Sequence, residues 1–533
     1  MENANQNNPD LRQQHNPIAF DIAIFAACIA PALLIGTQGL HRPYDAIPDQ
    51  DLLWASEALR LLRGVAPSYA DHPGAFWTLL YKLNIQLLEL LGQEPRNTAG
   101  LITPEGINSL IQISRIQNAA LAGLSGALVY PALWLLKAPK AIAAATALIC
   151  SWSSATLVAV SEIRHESISM LFMLTYLILT INSFIPRQSQ RAPRILAGGA
   201  LLSFFAATLS KQQILLTFPV ALAAAARGLY LNDQSTFTAI QRIISKLSPK
   251  RVATLCMLAV APWLISASPD IDLINLPFWI FINLGLGLCL APPLAQSSKD
   301  ISLIRPLVAA GVAEIILLKL VIPDWWRQAV TSFPSWMFRH ADKSSNKANQ
   351  TLHGLSSYFG ELFSIHSTSL IIFLIAILIS FAAICAITLR RSPFSASTTT
   401  ALAWLGIGAI AIACSQRVTS RYQVYFFFPL MILACLELSH APDRWLCSLK
   451  EFRLSPSKAI AACSAFLIIT AGTRSFSNAF SLGRFVNNAQ PESFLCFGHH
   501  MDQSMALTSA SKCPNFDEAQ NSKNAFDNWA GPR

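Results

Sequence analysis

Asp49-Gln50-Asp51 follows the first apolar stretch of this chain, and Asp71-His72-Pro73-Gly74 lies a short way beyond it. Two carboxylates at that spacing could hold Mg²⁺ or Mn²⁺ through their oxygens. At a helix start they could instead cap free N–H groups and oppose the helix dipole. Capping accounts for one acid of the pair and leaves the other for chemistry at a membrane face.

Further ionisable residues interrupt or flank apolar runs. Glu162, Arg164, His165 and Glu166 cluster between two of them, and Lys211-Gln212-Gln213 separates another two. Arg417 and Arg421 precede Tyr422 and Tyr425 at the start of a late run. A charge at the bilayer centre costs about 2.5–3.5 kcal/mol on insertion scales. Such residues either face a protein-lined or water-filled cavity or snorkel to the headgroups. Arg115, near the start of the second run, reads as a headgroup anchor of the second kind.

The elements that must position these groups are membrane helices. Of 533 residues, 53% are hydrophobic and 13% charged, where a soluble chain would carry about a quarter charged. Mean hydropathy is +0.43. Apolar runs long enough to cross a hydrocarbon core recur from end to end. Hydropathy gives about thirteen spans, near 18–40, 108–136, 141–160, 165–185, 195–210, 214–230, 252–268, 275–294, 302–322, 366–389, 399–415, 422–440 and 459–475. The expected fold is all-α and polytopic. It divides into a disordered cytoplasmic tail (1–17), a transmembrane domain (18–475) and a small outer tail (476–533).

Alternate loops carry Lys137 and Lys140; Arg187, Arg191 and Arg194; Arg242, Lys246, Lys250 and Arg251; Arg390 and Arg391; and Arg444, Lys450 and Arg453. This is the positive-inside pattern, so the net charge of +10 marks topology and needs no nucleic-acid partner. Eight of the 11 cysteines fall inside spans. Cys496 and Cys513 lie in the outer tail, either bridged or as two thiols.

The first outer segment, 41–107, contains two amphipathic stretches. In 51–63, Leu52, Ala55, Leu59 and Leu62 share one face, and Ser56, Arg60 and Arg63 another. In 76–91, Phe76, Leu79, Leu80, Leu83, Leu87 and Leu90 oppose Thr78, Lys82, Gln86 and Glu89. Both read as helices at the interface, with Trp54 and Trp77 at headgroup level. A membrane crossing by the second would reverse the charge asymmetry of every later loop. The second outer segment, 323–365, is rich in aromatics and suits a lid or an interfacial belt.

At these residues the chain resembles polytopic glycosyltransferases of the GT-C class, near protein O-mannosyltransferases and lipid A aminoarabinose transferases. The resemblance covers roughly Ile18 to Tyr230 and the stretch Arg421–Pro429. Asp49-Gln50-Asp51, the helix through Leu62 and then Gly64 are similar to the acidic motif and first juxtamembrane helix. Asp71-His72-Pro73-Gly74 resembles the segment before the second such helix, with His72 where a Lys is usual. Leu209-Ser210-Lys211-Gln212 resembles a basic turn, and Ser420-Arg421-Tyr422-Gln423-Val424-Tyr425 a late basic-aromatic motif.

The resemblance implies transfer of a sugar from a polyprenyl-phosphate carrier to an acceptor hydroxyl, with inversion, on the outer face of a bacterial inner membrane. The acceptor would be a lipid, a polysaccharide or a protein. Asp51 or Asp49 would be the base. Lys211, Arg421 and Arg164 would bind the phosphate and the charge developing on it. Glu162, Glu166, Asp71, His72 and Tyr425 would orient sugar or acceptor. No cofactor is expected, with Mg²⁺ or Mn²⁺ at the acid pair as the alternative. The competing reading is a transporter or flippase of a lipid-linked sugar or an anionic solute, although no duplicated halves are visible.

Overall fold

The computed structural model describes residues 17–40, 51–64, 75–96, 104–157, 160, 163–184 and 191–211. It also describes scattered positions within 214–238 and 428–436. The expected spans between 252 and 415 and at 459–475 lie outside the described residues, as do the 323–365 segment, the tail 476–533, and Cys496 and Cys513.

The described part is helical, with no strand among the described residues. Its elements are α1 (Pro17–Gly39), α2 (Asp51–Leu62), α3 (Ala75–Leu90), α4 (Pro104–Ala127), α5 (Val129–Leu135), α6 (Lys140–Ser151), α7 (Ser154–Leu157), α8 (His165–Phe184) and α9 (Arg191–Ser210). Three stretches, Ile18–Thr37, Asn108–Leu135 and His165–Ser183, are long and apolar enough to cross a membrane. Only 22% of the α1 stretch is buried, against 67% of the α8 stretch. α8 is therefore central and α1 peripheral, with Ile18, Phe20, Ile22 and Leu34 on its open side.

Helices in an apolar solvent gain little from apolar burial and associate through close packing. Small residues provide it here. A Cβ on Gly123 would meet the backbone of Ile29 in α1 at 2.9 Å, and one on Gly126 would clash with Ser151 in α6. Tyr176, Phe204 and Phe218 stack between α8, α9 and the chain beyond, with ring centroids 5.1–5.7 Å apart. The late segment joins this body: Phe428, Met431, Ile432, Cys435 and Leu436 are all buried. A gap of about 20 Å³ between Met170, Leu174, Leu177, Ala225, Pro429 and Ile432 has an entirely apolar lining. Without polar partners for even one water, it is a packing defect rather than a substrate site.

The two ends of the bundle differ. At one end Tyr130 Oη donates to Asp21 Oδ1 at 2.6 Å, and Lys140 Nζ lies 3.4 Å from the same oxygen. These contacts pin α1, α5 and α6 together. The turn from α5 to α6 closes with Ala138 N–H on Leu133 O and Lys137 N–H on Trp134 O, around Lys137 at φ 61°. That is a Schellman stop with a lysine where glycine is usual.

α2 and α3 sit on the opposite end. Each stops at a left-handed glycine, Gly64 at φ 74° and Gly92 at φ 77°, the conformation only glycine takes without strain. Asn84 of α3 and Gln117 of α4 exchange amide hydrogen bonds at 2.9 and 3.0 Å, and Asn84 Nδ2 also donates to Ser114 Oγ. An apolar cluster of Trp54, Leu59, Trp77, Tyr81, Ile111 and Ile168, among others, fills the space beneath.

Two expectations change here. Trp54 and Trp77 are buried in protein, at 2% and 0% exposure, instead of standing at the headgroups. On α3 the face turned inward carries Trp77, Tyr81, Ile85 and Leu88, whereas Leu83, Leu87 and Leu90 are exposed. The helix has two apolar faces, and the aromatic one holds the protein.

The expected 141–160 span is broken. Thr156 Oγ1 and Ser153 Oγ both donate to Cys150 O, each at 2.7 Å, and α6 stops there. Hydroxyls that capture backbone carbonyls compete with helix continuation. Beyond α7, the described residues Val160, Ile163 and Arg164 lie outside any helix, and Asn118 holds two of them by both its functions. Its Nδ2 donates to Val160 O at 3.2 Å, and its Oδ1 accepts from Arg164 N–H at 3.3 Å. Replacing Asn118 by Leu leaves two buried backbone groups unpaired, at about 1–3 kcal/mol each. We expect a large fall in the unfolding midpoint of the purified protein. Gln112→Ala, which loses only a 3.4 Å half-buried bond to Leu40 O, should stay within about 0.5 kcal/mol of the parent.

Candidate functional site

Most soluble residues meet their charge in water; here several do so inside the protein. Glu57, Arg60, Arg115, Arg164, His165, Glu166 and Lys211 are all buried, at 7% exposure or less. All of them belong to the α2–α3 end of the bundle. They sit on α2, midway along α4, at the entry to and in the first turn of α8, and just past the end of α9.

Lys211 is the first residue past α9, where its N–H still bonds Ala207 O and its own carbonyl accepts from Ile214 N–H. The chain is helical again at 214, so Lys211 stands in a break, as the sequence suggested. Glu166 lies in the first turn of α8. Because α8 and α9 run antiparallel, the two meet: Lys211 Nζ is 3.7 Å from Glu166 Oε1, both side chains about 5% exposed or less. Each charge is also at the favourable end of its own helix, the carboxylate at an N-terminus and the ammonium at a C-terminus. Those dipoles lower the cost of burying two ions.

The pair is loose. A charge-assisted hydrogen bond closes to about 2.7–2.9 Å, and at 3.7 Å the two charges attract without closing one. Glu166 Oε2 is buried and makes no hydrogen bond among the described residues. Buried polar atoms are normally satisfied, so this oxygen marks a position where another donor fits.

Beside the pair, the His165 ring packs edge-on against Trp54, centroids 4.3 Å apart at 88°. Trp77 Nε1 donates to Arg164 O at 3.0 Å. The two indoles thus lock α2 and α3 onto the entry to α8. Trp54 is three residues from Asp51, which opens α2; at 1.5 Å per residue that is about 4.5 Å along the helix. The helix headed by Asp51 therefore docks one turn later on the residue next to Glu166.

Of the site residues expected from sequence, Arg164, Glu166 and Lys211 are brought to one buried region. Asp51 heads α2, and only its backbone is described. Asp49, Asp71, His72, Glu162, Arg421 and Tyr425 lie outside the described residues. Pro429, eight positions beyond Arg421, packs on α8. The sequence reading assigned no site role to His165, Trp54, Asn118 or Glu57. It placed Arg115 at the headgroups, whereas Arg115 is fully buried. His165 lies inside the cluster already noticed, whereas Asn118 and Arg115 lie midway along α4 and Glu57 within α2, where no local signal marks them.

Four cationic side chains (Arg60, Arg115, Arg164 and Lys211) and two carboxylates (Glu57 and Glu166) are buried among the described residues. Buried charges of both signs therefore share this low-dielectric end of the bundle, where each acts more strongly than it would in water. Among the described residues no three His, Cys, Asp or Glu side chains group around a common metal position; the Asp49–Asp51 pair lies outside that set. No protein-family model matches the chain, and no curated protein matches it.

Removing Lys211 takes away the cation beside Glu166, and removing Glu166 takes away the carboxylate beside Lys211. Lys211→Ala and Glu166→Ala should each destabilise by about 3–5 kcal/mol. The double variant should cost less than their sum, with a coupling of about 1–3 kcal/mol in a denaturant-unfolding cycle. Additive losses would mean that the two charges do not act as a pair.

Proposed function

We propose that this protein is a multi-pass membrane glycosyltransferase of the GT-C type. It moves a sugar from polyprenyl phosphate to an acceptor hydroxyl at the outer face of a bacterial inner membrane. The single observation that carries the reading is the buried, loosely closed Lys211–Glu166 pair beside Arg164 and His165, onto which α2 docks through Trp54. The apolar helices and the alternation of basic loops support the membrane setting.

The chemistry follows from the charges. Asp51 or Asp49 takes the proton of the acceptor hydroxyl. The resulting oxygen attacks the anomeric carbon from the side opposite the phosphate, and the carbon–oxygen bond to phosphate breaks. The electron pair leaves on the phosphate oxygen, where Lys211, Arg164 and Arg421 meet the growing negative charge. Asp71, His72, Glu162, Glu166 and Tyr425 orient the sugar or the acceptor. The hydrocarbon tail stays in the bilayer, which suits a site at the end of a helical bundle.

Purified protein in liposomes, given radiolabelled polyprenyl-phosphate sugar and an envelope-glycan or lipid acceptor, tests this directly. Replacing the base by Asn should lower transfer by about 10²–10⁴-fold, and Lys211→Gln should also abolish most turnover. Full transfer by both Asp51→Asn and Asp49→Asn would remove the base assignment. Movement of the lipid across the bilayer with no transfer would support a flippase instead.

A further inference from the structure

A base and a set of cations explain how such a site starts a reaction; they do not explain how it tells a loaded carrier from a spent one. Both bear the same prenyl tail and the same phosphorus. They differ in two ways at the position Lys211 would hold. The sugar-charged carrier is a phosphodiester with one negative charge and sugar hydroxyls beside it. The product is a phosphomonoester, which carries about −1.5 to −2 at neutral pH and has no sugar hydroxyl beside it.

Resting on the transferase reading above, we propose that Glu166 is the residue that makes this distinction. Its Oε1 lies 3.7 Å from Lys211 Nζ, so any phosphate oxygen seated on Lys211 comes close to this carboxylate. Its Oε2 is buried and accepts no hydrogen bond among the described residues. A hydroxyl next to a singly charged phosphate supplies that missing donor. A doubly charged phosphate supplies none and faces a like charge in a buried region, where such juxtapositions cost most. Lysine with its three donors and the carboxylate with its acceptor lone pairs therefore read an anion and a neighbouring hydroxyl together. Bond cleavage converts a ligand that satisfies both groups into one that Glu166 repels, and the spent carrier is released.

Three synthetic probes separate the terms: farnesyl phosphate, methyl farnesyl phosphate and 2-hydroxyethyl farnesyl phosphate. Their binding to the full-length protein in lipid nanodiscs is measured by calorimetry, with no transfer required. Wild type should bind the hydroxyethyl diester tightest and the monoester at least about tenfold more weakly, equivalent to 1.4 kcal/mol. Glu166→Gln should tighten the monoester and bring all three within about threefold of one another. Glu166→Asp should keep the wild-type order.

Equal affinity of wild type for monoester and hydroxyethyl diester overturns the proposal, whether or not the Gln variant folds. An unchanged ratio in Glu166→Gln overturns it as well. Wild type that binds none of the probes removes the transferase reading itself, a distinguishable failure.

Discussion

The described residues that lead into α8, Val160 and Ile163 to Glu166, set the geometry of what surrounds them. Val160, Ile163 and Arg164 lie outside any helix, so their backbone groups need partners from elsewhere, and two side chains supply three of these bonds. Asn118 bonds Val160 O and Arg164 N–H, and Trp77 bonds Arg164 O. With those groups held, Arg164, His165 and Glu166 turn into the protein rather than toward its surroundings. α3 is positioned by the same indole that bonds Arg164 O, and α2 by the Trp54–His165 contact. The entry to α8 thus gathers α2, α3 and α4 at a single end of the bundle.

The electrostatics follow from where helices begin and end. In a membrane setting an ion is expensive wherever backbone dipoles cannot help it, and the start of α8 and the end of α9 are two places where they do. Glu166 and Lys211 occupy those places and lie close enough to attract without closing a hydrogen bond. A tightly closed pair would be a structural lock. In an open one, a carboxylate oxygen with no hydrogen bond among the described residues has capacity left for a ligand's donor.

Much of this was legible from the chain. The apolar runs at 18–40, 108–136, 165–185 and 195–210 correspond to α1, α4 with α5, α8 and α9. The break at Lys211 and the glycine stop at Gly64 were also readable, because Gly and clustered polar residues punctuate helices for local reasons. What was not legible is which way a helix faces. α3 carries a leucine stripe and an aromatic stripe, and hydropathy cannot rank them when lipid is as apolar as a protein core. The choice was made by Asn84, whose amide finds Gln117 and Ser114 on α4. Arg115 was misplaced for a related reason. Its position near the start of an apolar run suits snorkelling, but in the folded protein it is fully buried midway along α4.

The central claim is that the buried ions at the start of α8 and the end of α9 form the phosphate seat of a prenyl-linked donor. Photo-crosslinking is the most direct measurement. The probe is a farnesyl phosphate carrying a diazirine one bond from the phosphate, applied to the intact protein in nanodiscs, with labelled peptides located by mass spectrometry. The account requires labelling concentrated on 160–170 and 207–214, competed by unlabelled prenyl phosphate and lost in Lys211→Gln. Competed labelling confined to the opposite end, around Asp21, Tyr130 and Lys140, would contradict it.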